Sequence, residues 1–194
     1  MSVLKGMVGG NMSTSPVNTE PKNEKKYSYS NVDSSLEQPS SDDLIRITSI
    51  CHGELNLVVD GRTVLKFEKY GDTKPVLYST LVGIVNQNRS FAEEGKFYIN
   101  SDGAVYHLGL YDAYQHIYPL DVISDIYSYS DEDIKEILKL MCNDQKNTLV
   151  TNIARDIYNN KTLNHNKVNL VSKCVDVDIY SIANEIKTTM ENVG

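Results

Sequence analysis

The sequence predicts an α+β protein with a disordered N-terminal arm, a small antiparallel β meander with one inserted helix, and a C-terminal bundle of short helices. Three observations predict this class. The first 41 residues lack a hydrophobic period, alternating apolar and polar residues with turn signals follow, and the remainder shows helical periods. The strands are too few and too locally connected for a doubly wound sheet. The predicted parts are an arm at 1–41, an antiparallel β domain at 42–110 and a helical domain at 111–194.

The arm is predicted from composition. Residues 13–41 are rich in Ser, Thr, Asn, Pro, Glu and Lys, and such a stretch buries too little apolar surface to offset its ordering entropy. Two short segments nevertheless carry apolar or aromatic side chains that could order against a partner. The partner-binding residues predicted in the arm are Val3, Leu4, Met7, Val8, Met12, Tyr27 and Tyr29. The alternative is a tail without a partner.

The β domain begins with Leu44–Ile50, whose alternation places two isoleucines on one face and polar residues on the other. Asp60-Gly61 is the signal of a type I′ hairpin, and it predicts that residues 54–59 and 62–70 pair as strands. A further short strand is predicted at Pro75–Tyr78. Together these segments predict a sheet built from local, antiparallel connections.

The inserted helix is predicted at residues 80–88, with Ser79 as its N-cap. After it, Ser101-Asp102-Gly103 has the composition of a turn. We therefore predict a second hairpin, in which Lys96–Asn100 and Ala104–Leu108 are the paired strands. This hairpin would complete a meander of about six strands.

The helical half is predicted from apolar residues spaced three and four apart. Ser130 with the acids that follow it predicts a capped helix start, and Asp178 is predicted to cap the last helix. The predicted helices are Tyr111–Tyr118, Leu120–Ile126, Asp131–Cys142, Asp144–Tyr158, Val168–Cys174 and Ile179–Met190. Their short loops favour packing as one bundle.

Composition excludes several classes of function. The net charge is −7 and the arm is neutral, so the acidic body is unsuited to nucleic acid as its main ligand. No apolar run is long enough to span a membrane, and the first ten residues are too short and glycine-rich for the core of a signal peptide, so we expect synthesis in the cytoplasm. The 13 tyrosines fit extensive protein–protein contact, or else the codon bias of an AT-rich genome.

Chemical motifs are sparse, and we predict no catalytic residue, metal site or cofactor. The three cysteines are widely spaced and form no CxxC pair. His107 and His116 with Asp112 between them could suggest a metal, but their spacing matches no ligand motif, and surface or half-buried histidines are expected. Cys51 and His52 could suggest a nucleophile and its base, but neighbouring strand residues point to opposite faces.

Three segments resemble small structural proteins of tailed bacteriophages, namely Leu77–Val85, Arg89–Ile99 and Val105–Leu110. The resemblance extends over residues 44–117 and includes no catalytic residue. It implies a virion component that is capsid-associated or linked to the neck or tail, with other virion structural proteins as partners and an arm that lies along neighbouring subunits.

We therefore expect a non-enzymatic assembly protein of a large particle, made in the host cytoplasm and located in the virion. The alternative is a soluble phage-encoded adaptor or inhibitor that binds a host protein. An enzyme is the third possibility, and it would need a pocket that joins His107 or His116 to acids of the helical half.

Overall fold

The computed structural model describes residues 36–191, which form five strands and eight α-helices and confirm the α+β class. Two 3-10 turns, Ala113–Gln115 and Ile126–Ser128, lie between the helices. The elements in chain order are β1 (Leu44–Ser49), β2 (Leu55–Val59), β3 (Arg62–Phe67), β4 (Thr73–Leu77), α1 (Tyr78–Gln87), α2 (Arg89–Glu93), β5 (Phe97–Ile99), α3 (Asp102–His107), α4 (Leu120–Ser124), α5 (Asp131–Leu140), α6 (Asn143–Tyr158), α7 (His165–Val175) and α8 (Ile179–Glu191).

The strands are antiparallel, as predicted, but they form two sheets. β1 lies in the middle of a three-stranded sheet with the order β4-β1-β5, while β2 and β3 pair only with each other. Leu44 is opposite Leu77 of β4, and Ile47 is opposite Ile99 of β5. The neighbours of β1 are therefore distant in the chain, and alternation within each strand carries no information about that order.

The β2–β3 hairpin confirms the predicted turn. Asp60 and Gly61 both have positive φ, 49° and 74°, as a type I′ turn requires. The tip is held to α1 by Gln87, whose side-chain oxygen accepts from the Asp60 N–H and whose amide donates to the Asp60 carboxylate, both at 2.8 Å. The side chain of Asn88 donates to the Val58 carbonyl at 2.8 Å. These bonds fasten the hairpin against the helix.

The second predicted hairpin is wrong, because residues 102–107 form α3 instead of a strand. Ser101 caps this helix by accepting from the Ala104 N–H at 3.2 Å. A Ser-Asp-Gly sequence suits a turn and a helix start equally, since serine favours both positions. Burial of the adjacent Ala104 and Val105 is consistent with a helix and not with an alternating strand.

The predicted N-cap of α1 is also wrong. The helix begins at Tyr78, and Ser79 lies inside its first turn. The amides at the start of the helix have no acceptor within it. The Tyr78 N–H donates to the Asp43 carbonyl at 2.8 Å, and the Ser79 N–H donates to the Ser41 carbonyl at 3.1 Å. A preceding segment of chain therefore replaces the side-chain cap.

Two predicted helix caps, Ser130 and Asp178, are confirmed, whereas α7 begins at His165, three residues before the predicted Val168, because the side chain of Asn164 caps it. Ser130 accepts from the Asp133 N–H at 3.2 Å, and Asp178 accepts from the amides of Tyr180 and Ser181 at 3.0 and 3.1 Å. The helix predicted over 111–118 is reduced to the 3-10 turn at Ala113–Gln115. None of the helices in residues 36–191 has the length and apolar character that a bilayer crossing requires.

Tyr114 explains why that segment departs from a regular helix. Its buried hydroxyl accepts from the Ile99 N–H at 2.9 Å, which joins the segment to the buried edge of β5 that has no strand partner. Gln145 of α6 holds the following residues, because its side chain accepts from the Tyr118 N–H and donates to the Tyr118 carbonyl, both at 2.8 Å. Gln145 is fully buried, so these bonds satisfy polar groups that water cannot reach.

One cluster of buried apolar side chains joins the sheet to the helices. Ile47 and Phe97 supply it from the strands, while Leu149 and Ile153 supply it from α6. The side chains of α6 therefore follow the apolar stripe that its sequence predicts. The helices pack on the sheet through this shared core.

Candidate functional site

The seven arm residues predicted to bind a partner, Val3, Leu4, Met7, Val8, Met12, Tyr27 and Tyr29, lie outside the described residues 36–191. The structure does describe where the predicted arm meets the body. Residues 36–43, here called the root segment, run from α3 to the start of β1.

The first contact of the root segment is with α3. The Nε2–H of His107 donates to the Leu36 carbonyl oxygen at 2.9 Å. One residue further on, the Glu37 carbonyl oxygen lies only 2.5 Å from the position that a Cβ on Gly103 would occupy. A side chain of any size at position 103 would therefore collide with the root segment, so the glycine is needed for close approach.

The second contact is with α1. The Ser40 N–H donates to the Asp43 carboxylate at 2.7 Å and the Asp43 N–H donates to the Ser40 carbonyl at 3.0 Å, which makes a closed turn. The carbonyls of Ser41 and Asp43 then cap α1, as described above. The root segment is thus fixed at both ends, and it determines where the preceding residues attach to the body.

A partly apolar face of the three-stranded sheet begins where the root segment ends. We call it the outer face, and it consists of Leu44, Arg46, Pro75 and Leu77. Leu44 is 66% exposed and Leu77, directly opposite, is 42% exposed. The intervening side chains of β1 and β4 point the other way, into the core. Exposed apolar residues grouped beside a cation are suited to a protein partner.

The edge of β4 is poorly suited to adding another strand. Pro75 has no N–H to donate, and the Lys74 ammonium bonds the Lys66 carbonyl of β3 at 2.6 Å. Proline and lysine on an edge strand are known obstacles to strand addition. A partner is therefore better accommodated on the outer face than along the edge.

The histidines considered as metal ligands lie apart. His107 bonds the root segment, whereas the Nδ1–H of His116 donates to the Leu140 carbonyl at 2.8 Å. No group of three or more metal-binding side chains converges within residues 36–191. Both imidazoles thus connect segments that are far apart in sequence.

The adjacent Cys51 and His52 contact different groups. The Nε2–H of His52 donates to the Thr148 carbonyl at 3.2 Å, and its ring stacks on Tyr70 with 5.5 Å between centroids. Burial lowers the pKa of His52 and raises the pKa of Cys51. The thiol is therefore held in its protonated, weakly nucleophilic form at neutral pH.

A groove of about 300 Å³ lies beside Cys51, between the end of β1 and α6. Its cation and anion, Lys96 and Asp144, are paired with each other, and this bond raises the pKa of Lys96. Since each charge already has a partner, neither is available to bind an ion or activate a substrate.

Comparison of the chain with protein-family models, curated proteins and solved structures gave no match. Neither a family nor a related fold is therefore identified. The contacts of the root segment were missed by the sequence analysis, which assigned Gly103 to a turn. The exposure of Leu44 and Leu77 as a pair depends on the register of two strands that are distant in the chain.

Proposed function

We propose that this chain is a non-enzymatic assembly protein of a large particle, a virion component of a tailed phage that is capsid-associated or linked to the neck or tail. The part of its arm that precedes the root segment, residues 1–35 of the arm at 1–41, binds neighbouring subunits. The observation that supports this function is the fixed root segment, which connects the arm to the body beside an exposed apolar face.

A fixed attachment matters because an arm that orders on a partner loses conformational entropy when it binds. Residues 36–43 are already held by α3 and α1, so that part of the entropy cost is met within the subunit. Once the outer face of one subunit contacts a neighbour, the arm is confined near that neighbour, and its second contact forms at high effective concentration.

The partners in this role are other virion structural proteins, in a homo- or hetero-oligomeric assembly. Nucleic acid is not the main ligand, since the net charge of −7 opposes a phosphate backbone. Membrane, metal and cofactor have no part in the proposal.

The first test locates the protein in lysate from its native source, by density-gradient sedimentation and mass spectrometry. Co-sedimentation with a megadalton particle supports assembly. Sedimentation as a small complex with one host protein contradicts it and favours the adaptor or inhibitor alternative.

A second test separates the arm from the outer face. Deletion of residues 1–35 should leave the body folded but reduce incorporation into particles, because the root segment and the α1 caps remain. Leu44→Ser should also reduce incorporation. The matched control is Val64→Ser on β3, which removes another exposed apolar side chain, 40% exposed, from the other sheet. If the deletion variant and Leu44→Ser were incorporated as well as the control Val64→Ser, the proposed role of these surfaces would be refuted.

A further inference from the structure

A cavity of about 280 Å³ lies between α6, the α4 region and the loop after β3. One face of α6 lines it with Leu149, Asn152, Ile153 and Asp156, which are spaced as i, i+3, i+4 and i+7. Leu149 and Ile153 are buried and make an apolar floor. Asn152 and Asp156 add polar groups to the same wall. Mixed chemistry of this kind, with few polar groups over an apolar floor, is typical of small-molecule sites.

Two tyrosines line the cavity from the opposite elements. The hydroxyl oxygen of Tyr127 is buried and has no hydrogen-bond partner within residues 36–191, whereas the buried hydroxyl of Tyr70 interacts with Ser124 and Asn152 of the same wall. Burial raises the pKa of both phenols, so both are neutral donors at physiological pH. A buried donor without a partner is costly, and a ligand that accepts from it recovers that free energy.

The polar groups of the cavity wall are held in place by contacts with other groups of the protein. The ring of Tyr70 stacks on His52, and the backbone carbonyl of Tyr127 accepts from the Lys167 ammonium at 2.7 Å. Asp156 pairs with Lys161 at 2.6 Å. Groups fixed in this way need little reordering when a ligand arrives.

We propose that this cavity binds a small neutral polyol, a single sugar ring or a molecule of that size. The charges of Asp156 and Lys161 balance each other, which favours a neutral ligand. Hydroxyl groups both donate and accept, so they match a wall that contains the Tyr127 phenol donor, an amide and a carboxylate. The C–H face of a sugar ring would lie on Leu149 and Ile153. The volume of about 280 Å³ is just below the usual range for ligand pockets, about 300–1,000 Å³, and limits the ligand to one ring.

The first experiment measures the full chain without sugar. Tyr127→Phe removes an unpartnered buried hydroxyl, so its melting temperature should stay equal to the wild-type value or rise. Tyr158→Phe on α6 is the matched control, because Tyr158 is 38% exposed. A clear fall in melting temperature for Tyr127→Phe alone would show that the hydroxyl is already satisfied, by ordered water for example, and would overturn the proposal.

The second experiment measures binding by ligand-observed NMR, with D-glucose, D-galactose, N-acetylglucosamine and myo-inositol as probes. We expect saturable binding of at least one probe, weakened about tenfold by Tyr127→Phe, as the loss of one hydrogen bond implies, and unchanged by Tyr158→Phe. Absence of saturable binding by all four probes at tens of millimolar, or binding that is insensitive to Tyr127→Phe, would overturn the proposal.

Discussion

Gly103→Ala tests whether the root segment is held on α3. In the full chain the new Cβ would be placed 2.5 Å from the Glu37 carbonyl oxygen, well inside the 3.4 Å at which ordinary contact begins. The oxygen belongs to the backbone, so it cannot move aside as a flexible side chain can. The root segment would have to shift, and the bond from His107 to the Leu36 carbonyl would lengthen or break.

The expected change in the free energy of unfolding follows from two opposing effects. Alanine is the better helix former, and in a helix it is worth up to about 1 kcal/mol over glycine. Forcing extra volume into a close contact costs about 1–3 kcal/mol, and a lost hydrogen bond costs about 1 kcal/mol. In the full chain we therefore expect Gly103→Ala to lower the free energy of unfolding by about 1–3 kcal/mol.

Deletion of residues 1–39 should reverse the sign of the effect that Gly103→Ala has on the free energy of unfolding. The truncated chain lacks Leu36 and Glu37 but keeps the carbonyls of Ser41 and Asp43 that cap α1. Without the clash, only the gain in helix propensity remains, and Gly103→Ala should raise stability by about 0.5–1 kcal/mol. Urea denaturation of the four proteins, followed by far-UV circular dichroism, gives the coupling energy between position 103 and the root segment.

Gly83→Ala is the matched control. Gly83 lies inside α1, and a Cβ there would meet the side chain of Val59 at 3.3 Å, with no contact to the root segment. Its effect should be the same in the full and truncated chains. If Gly103→Ala also has equal effects in both chains, the root segment is not seated on α3 and the reasoning is refuted.

Three further predictions follow from buried groups. Gln145→Leu should lower the free energy of unfolding by about 2–4 kcal/mol, because it leaves two backbone groups of Tyr118 unpaired. Gln145→Glu should cost more at pH 7, where a buried carboxylate faces the Tyr118 carbonyl, than at acid pH, where a protonated carboxyl can both accept and donate; a cost relative to wild type that is independent of pH in urea denaturation would contradict this. Burial raises the pKa of Tyr118 to about 12, so the free energy of unfolding should fall as pH rises from about 10, where the unfolded chain ionises first, and Tyr118→Phe should make that fall smaller; an equal fall in the two proteins, measured by urea denaturation at each pH, would count against it. Cys174 is exposed, and it should react with Ellman's reagent faster than Cys51 and Cys142, whose thiol pKa burial raises; three equal rates would exclude this arrangement.

The outer face shows which features a local sequence pattern can predict and which it cannot. The alternation of β1 correctly predicted that Ile45 and Ile47 face the core, and it implied that Leu44 faces outward. That Leu44 lies beside an exposed Leu77 follows from the pairing of β1 with β4, and neither strand encodes that pairing by itself. The tyrosines of the cavity likewise belong to segments that are distant in the sequence and come together only in the tertiary structure.

The sequence by itself determined the features whose partners lie within a few residues. The hairpin at Asp60-Gly61 and the caps at Ser130 and Asp178 are such features, because their backbone angles and hydrogen bonds are satisfied locally. Tertiary structure decided the start of α1, since carbonyls far upstream cap it, and it decided the role of Gly103, since the Glu37 backbone packs against it. In those places two segments satisfy each other's polar groups or steric limits across the fold, and a single stretch of sequence contains only half of that interaction.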